Sequence, residues 1–200
     1  RRIMIGWMQN WDTSSLHAAS NPWFGQMSLP RELSIKDGRL IQKPVRELEG
    51  LWGQKVTYDN VTFLDFLKLD GVKGRKVDME LSVRPGDEEE IYRKFTVRFA
   101  QNETCYTSVS FRPYESILKL DRKFSGSRRA IIHQRRSRVN SENGRIKLRI
   151  ILDKFSVEVF VNDGEQVLTA TIDTDVAAEE ISFFADGKVA MDVVKYELHV

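Results

Sequence analysis

Cysteine is almost missing from this chain. Cys105 stands alone among 200 residues, which excludes an intrachain disulfide framework. With Tyr106, Val109 and Phe111 close by, it is expected to be a buried, inert thiol. Histidine is scarce too. His17, His133 and His199 are far apart, and none has a second ligand at metal spacing, so no metal site is expected. No apolar run approaches the ~20 residues that cross a bilayer. Excess charge is also lacking: 31 Lys+Arg against 29 Asp+Glu leave a net charge of +2. That balance gives no argument for a nucleic-acid or membrane partner. The run Arg128, Arg129, Arg135, Arg136 and Arg138 has no interleaved aromatics and reads as a solvated loop. There is no Gly-rich phosphate loop, and no cofactor is expected. Long helices are missing as well. Only residues 44–53 show helical spacing, with Val45, Leu48 and Trp52 at i, i+3 and i+7, and Gly50 interrupts them. No signal peptide is visible. The chain opens on Arg1-Arg2-Ile3 without Met, inside a strand-like run, which suggests a piece of a longer protein.

What is present is β-structure. In residues 148–172, LRIILDKFSVEVFVNDGEQVLTATI, Val157, Val159 and Val161 alternate with Glu158, Phe160 and Asn162. This is the period-two signature of a strand with two faces. Asp163-Gly164 is a hairpin signal, Val167, Thr169 and Thr171 lie on the return strand, and Leu148, Ile150 and Leu152 form a strand upstream. The segment predicts a three-stranded antiparallel meander. Further strand patterns fall at residues 61–69, 76–83, 91–99, 107–112 and 116–120. A terminal hairpin is expected to turn at Asp186-Gly187. Asp37-Gly38 predicts another hairpin near the N-terminus, ended by Pro44, which cannot donate to a ladder. The hydrophobic fraction of 41% suffices for one sizeable core. The sequence therefore divides into residues 1–43, a poor domain by itself, a linker at 44–54, and an antiparallel β-sandwich over 55–200.

Hydrolytic chemistry needs paired carboxylates, a Ser/His/Asp set or a metal cluster, and no such constellation stands out. Glu158, mid-strand, and Asp163, at a turn tip, read as surface and turn residues. The one group with functional character is Trp7, Asn10, Trp11 and Trp23. Aromatic faces stack on sugar C–H surfaces and amides satisfy hydroxyls; packing alone is the competing reading.

Three stretches in order, GWMQNW (residues 6–11), PWFGQMSLPREL (22–33) and SVEVFVNDGE (156–165), resemble the C-terminal part of glycoside hydrolase family 32, the invertases, levanases and inulinases. LDRKFSG (residues 120–126) and LRIILD (148–153) extend the resemblance over nearly the whole chain. It implies an all-β fold: a C-terminal antiparallel β-sandwich preceded by the last strands of a five-bladed β-propeller. It also implies retaining hydrolysis of sucrose or fructans by an Asp nucleophile and a Glu acid/base. The motifs that carry those carboxylates are absent here, so no catalytic residue is assigned, and a propeller segment upstream would have to supply them.

The resemblance implies that Trp11 lines the fructose subsite, with Asn10 and Trp7 adjacent. Phe24 departs from the Arg often found between Trp and Gly in this family. Two other readings stay open: a stand-alone carbohydrate-binding or oligomerisation module, including a homo-oligomer, and a structural piece whose tryptophans only pack. Strands at residues 2–7 and 32–43 are expected to pair with another chain, fold onto the sandwich or remain partly disordered.

Overall fold

The structure, a computed structural model, describes residues 1–8, 25–87, 90–126 and 133–199. Its first sheet is small. Strands β1 (Arg2–Met4), β2 (Arg31–Lys36) and β3 (Arg39–Pro44) lie in the order β1-β2-β3, all antiparallel. Asp37 and Gly38 both have positive φ, 51° and 74°. Two left-handed residues in succession make the tight hairpin turn that pairs Lys36 with Arg39.

Residues Arg46–Leu51 then form a 3-10 turn that buries Leu48. The helical spacing therefore becomes one short turn, and Trp52 already begins the next strand. The turn leads into a ten-stranded antiparallel system: β4 (Trp52–Leu67), β5 (Val77–Pro85), β6 (Lys94–Gln101), β7 (Tyr106–Arg112), β8 (Ile117–Phe124), β9 (Gln134–Arg138), β10 (Ile146–Asp153), β11 (Ser156–Val161), β12 (Gln166–Thr171) and β13 (Glu180–Leu198). The predicted meander is β10-β11-β12, joined through a 3-10 turn at Asn162–Gly164.

β13 divides this system into two layers. In its first half Phe183 pairs with Leu67 of β4 and Val97 of β6, while in its second half Val193 pairs with Tyr58 of β4 and Leu81 of β5. One layer thus runs β12-β11-β10-β5-β13, the other β13-β6-β7-β8-β9, and β4 flanks β13 throughout. The inner faces meet in one apolar core that includes Met79, Leu81, Phe95, Phe111, Leu118, Leu148, Val159, Phe183 and Met191. Alternation supplies it: each strand sends every second side chain inward.

The expected terminal hairpin at Asp186-Gly187 does not form, because β13 is one strand of 19 residues. Asp186 stays paired with Lys94, and Gly187, at φ 98°, takes the left-handed conformation without a left-handed neighbour. One such residue bends a strand; two in succession reverse it. The register with β4 slips here, between Ala185 and Val189, and the strand passes from one layer to the other.

Three further expectations are corrected. Cys105 is half-buried in a loop, where its N–H is accepted by the Asn102 side chain at 2.8 Å. The Asx turn takes it out of the strand register that would bury it. Arg135, Arg136 and Arg138 lie on β9, because pairing with β8 offers their backbone a ladder; Arg128 and Arg129 lie outside the described residues. Glu158 is buried, for reasons given below.

Gly187 and Gly38 separate two effects. A Cβ on Gly187 would sit 2.8 Å from Tyr92 Cα, whereas one on Gly38 meets nothing within 4 Å. Gly38→Ala is expected to lose about 1–2 kcal/mol from its backbone conformation alone, and Gly187→Ala distinctly more. Urea unfolding of the two variants checks the ranking.

Candidate functional site

The first stretch of the resemblance runs out of the described residues. Asn10, Trp11 and Trp23 lie outside them, and only Trp7 of the sequence-predicted site is described. Trp7 is 56% exposed and faces Met27 across an antiparallel bridge. Around it, Met8 N–H donates to Gln26 O at 2.8 Å and Ser28 N–H to Gly6 O at 2.7 Å. The Ser28 hydroxyl accepts from Gly6 N–H at 2.9 Å and donates to Leu29 O at 3.1 Å. Gln26 reaches the sandwich directly, its amide donating to Phe155 O at 2.9 Å. The segment bearing Trp7 is thereby tied to the one bearing Met27 and Leu29.

That second segment ends on a buried ion pair. Arg31, on β2, donates through Nε to Glu158 Oε2 at 2.9 Å, and its Nη2 reaches the same oxygen. The other carboxylate oxygen accepts the Leu29 N–H. The remaining guanidinium donors go to Gln42 Oε1 at 3.1 Å and to Thr169 Oγ1, and the cation lies over the Phe160 ring at 5.6 Å. The Arg31 and Glu158 side chains are only 10% and 2% exposed. Glu158 is therefore no surface carboxylate. It lies on the face of β11 turned away from the core, and the small sheet covers that face.

Leu29, Leu48, Ile151 and Phe160 pack together beside the pair. Gly164, at φ 101°, seats the β11–β12 turn against β3 so closely that a Cβ would lie 2.2 Å from Gln42 O. MSLPREL and VEVFVNDGE, far apart in sequence, are the two halves of one contact. Mid-strand placement hid the role of Glu158. The available signal was its flanking by Val157, Val159 and Phe160, a setting in which a carboxylate needs a buried partner.

A second network fixes the linker. Trp52 Nε1 donates to Asp78 Oδ2 at 2.9 Å and stacks on Tyr196 with ring centroids 4.0 Å apart. Arg149 Nη2 meets the same oxygen at 2.6 Å. Burial would lower the Arg149 pKa; the hydrogen bond and charge of Asp78 outweigh it, and the net shift is upward. This carboxylate is fully engaged. Among the described residues no group of three or more His, Cys, Asp or Glu side chains is placed to hold a metal ion. No described helix is long and apolar enough to cross a membrane.

The chain is an all-β protein whose small sheet is locked to a sandwich through an Arg–Glu pair, and its membership follows from comparison. Residues 47–200 match the family model "Glycosyl hydrolases family 32 C terminal", and residues 1–44 match that of the family's N-terminal domain. The chain belongs to glycosyl hydrolases family 32. It is 34% identical over 197 residues to a levanase of Bacillus subtilis, covering 92% of this chain and 28% of the relative. It is 30% identical over 199 residues to a sucrose-6-phosphate hydrolase of Staphylococcus xylosus, covering 99% and 39%. Among solved structures it resembles exo-inulinase from Aspergillus awamori, with a TM-score of 0.82 at 21% identity over 98% of this chain and 40% of the other. Fructan 1-exohydrolase IIa from Cichorium intybus gives a TM-score of 0.83 at 19% identity, over 99% and 45%. The chain thus spans less than half the length of each of these relatives.

The ion pair generates a direct test. Glu158→Ala leaves the Arg31 cation buried without its partner and should lower stability by about 3–5 kcal/mol. Arg31→Met combined with Glu158→Leu, which removes both charges, should lose much less. Chemical denaturation of the single and double variants measures the coupling.

Proposed function

We propose that this chain is the C-terminal portion of a β-fructosidase that hydrolyses sucrose or fructans with retention. The chain supplies the bracing sandwich and part of the sugar-site wall, and an upstream propeller segment supplies the catalytic carboxylates. The observation that carries this reading is the buried contact between Arg31 and Glu158, made by the two motifs that mark the family. It is supported by relatives whose names are levanase and sucrose-6-phosphate hydrolase.

In this reading residues 1–43 close the propeller, 44–54 are the linker and 55–200 the sandwich. Trp11, with Asn10 and Trp7, lines the fructose subsite, the tryptophan faces stacking on the sugar while the amide satisfies a hydroxyl. The sandwich acts at a distance. Rigid placement of subsite walls is what converts binding into rate, and misplacement by ~1 Å can lose on the order of a hundredfold. The path from Glu158 through Leu29 and Ser28 to Gly6, next to Trp7, is the physical route by which the sandwich would hold that wall.

The purified 200-residue chain is expected to show no release of fructose from sucrose, inulin or levan; hydrolysis by this chain alone would overturn the assignment of the carboxylates. In an enzyme that joins this chain to an N-terminal propeller, Trp11→Ala should lower turnover about a hundredfold with little change in melting temperature. Steady-state kinetics beside thermal unfolding distinguishes this from a purely structural tryptophan, which would show the reverse.

A further inference from the structure

The layer that includes β6, β7 and β8 carries a cluster that the fructosidase reading leaves unused. With Phe95, Val97, Phe111, Leu118 and Leu120 in the core, alternation turns Lys94, Thr96, Arg98, Ser110, Arg112 and Lys119 to the outer face of β6, β7 and β8. Thr96 lies opposite Ser110, and Ser110 opposite Lys119. Neighbouring strands are roughly 4.8 Å apart, so two hydroxyls lie side by side with cations on their flanks.

Thr96 and Ser110 are only 9% and 4% exposed, yet neither side chain hydrogen-bonds another described residue. Lys94 has no ion-pair partner among the described residues. Burial lowers its pKa, and the nearby charges of Arg112, Lys119 and Arg98 push it the same way, with only Asp186 opposing. Arg98 is fixed in place, its guanidinium lying 4.1 Å from the Tyr106 ring centroid and 4.2 Å from that of Phe184. The other carboxylates near this face are engaged: Glu115 by Arg112 at 2.9 Å, and Asp121 by Lys119 at 3.0 Å and Gln134 at 2.9 Å. Lys94 is thus the cation of this face that is repelled by its neighbours and holds no carboxylate of its own, and an oxyanion is the chemistry that would relieve it while accepting from the hydroxyls.

We propose that this outer face binds a tetrahedral oxyanion, phosphate or sulfate, free or esterified to a sugar, with Lys94 as its charged donor and the Thr96 and Ser110 hydroxyls beside it, while Arg112 and Lys119, each already holding a carboxylate, stand at the rim. An apolar shoulder adjoins it. Phe184 lies opposite Thr96 and packs on Phe66, itself 50% exposed, with ring centroids 5.2 Å apart. A sugar ring carried by the anion would rest there. The site is on the sandwich layer away from Glu158, so it stands or falls independently of the fructosidase reading.

Calorimetric titration of the whole chain with inorganic phosphate, against chloride at matched ionic strength, should show saturable binding, and phosphate should raise the melting temperature. Lys94→Gln should weaken binding about tenfold or more while leaving the unliganded protein at least as stable, since the lost charge is a repelled one. Lys154→Gln, on the β10–β11 turn, should change neither. Tighter binding of fructose 6-phosphate than of phosphate identifies the sugar ester as the ligand; equal affinity identifies the free anion. No saturable phosphate binding, an equal effect from chloride, or unchanged affinity in Lys94→Gln would overturn the proposal.

Discussion

Everything in this molecule that concerns the placement of its N-terminal sheet depends on a charge pair taken out of water. A carboxylate in the middle of β11 and a guanidinium at the start of β2 are each too costly to bury alone. Together they are satisfied: Glu158 accepts from Leu29 N–H and from Arg31, and Arg31 uses its remaining donors on Gln42 and Thr169. Apolar contact among Leu29, Leu48, Ile151 and Phe160 supplies adhesion, but such contact has no direction and would tolerate sliding. The pair supplies the register.

The sandwich divides its surfaces accordingly. Both inner faces are apolar and close on one core. The outer face of one layer is given to the small sheet and the linker turn, with Asp78, Arg149 and Trp52 fastening the edge. The outer face of the other layer carries hydroxyls and cations. β13 makes this possible by serving both layers, its bend at Gly187 removing the need for a separate connection. Arg75 secures the closing loop from within. It is buried without a carboxylate ion-pair partner among the described residues and donates to the backbone carbonyls of Asp175 and Thr174 in the loop before β13 and of Lys154 in the β10–β11 turn. Burial lowers its pKa, only partly offset by Asp175, Glu179 and Asp153.

Three of the four Asp-Gly pairs show where reading by local signal works and where it stops. Asp37-Gly38 reverses the chain because both residues adopt positive φ. Asp163-Gly164 also reverses it, but through a longer connection shaped by the approach of Gln42. Asp186-Gly187 does not, since the ladder to β6 continues through Asp186. The dipeptide is identical each time, and non-local pairing selects the outcome. Cys105 teaches the same lesson: its apolar neighbours suggested burial, and an Asx turn at Asn102 set it in a loop instead. The resemblance-bearing motifs were legible as motifs, while their mutual contact was not, because nothing local ties residue 31 to residue 158.

By itself the sequence determined the all-β character, the β10-β11-β12 meander, the hairpin at Asp37-Gly38 and the resemblance to glycosyl hydrolases family 32. Period-two alternation and short-range turn chemistry are written residue by residue, and so are family motifs. Only the tertiary structure decided that Glu158 is an internal anchor, that β13 bridges two layers, and that cations from three strands gather around Thr96 and Ser110. Those features depend on which distant strands become neighbours, and that choice is made by burying the whole set of apolar faces at once.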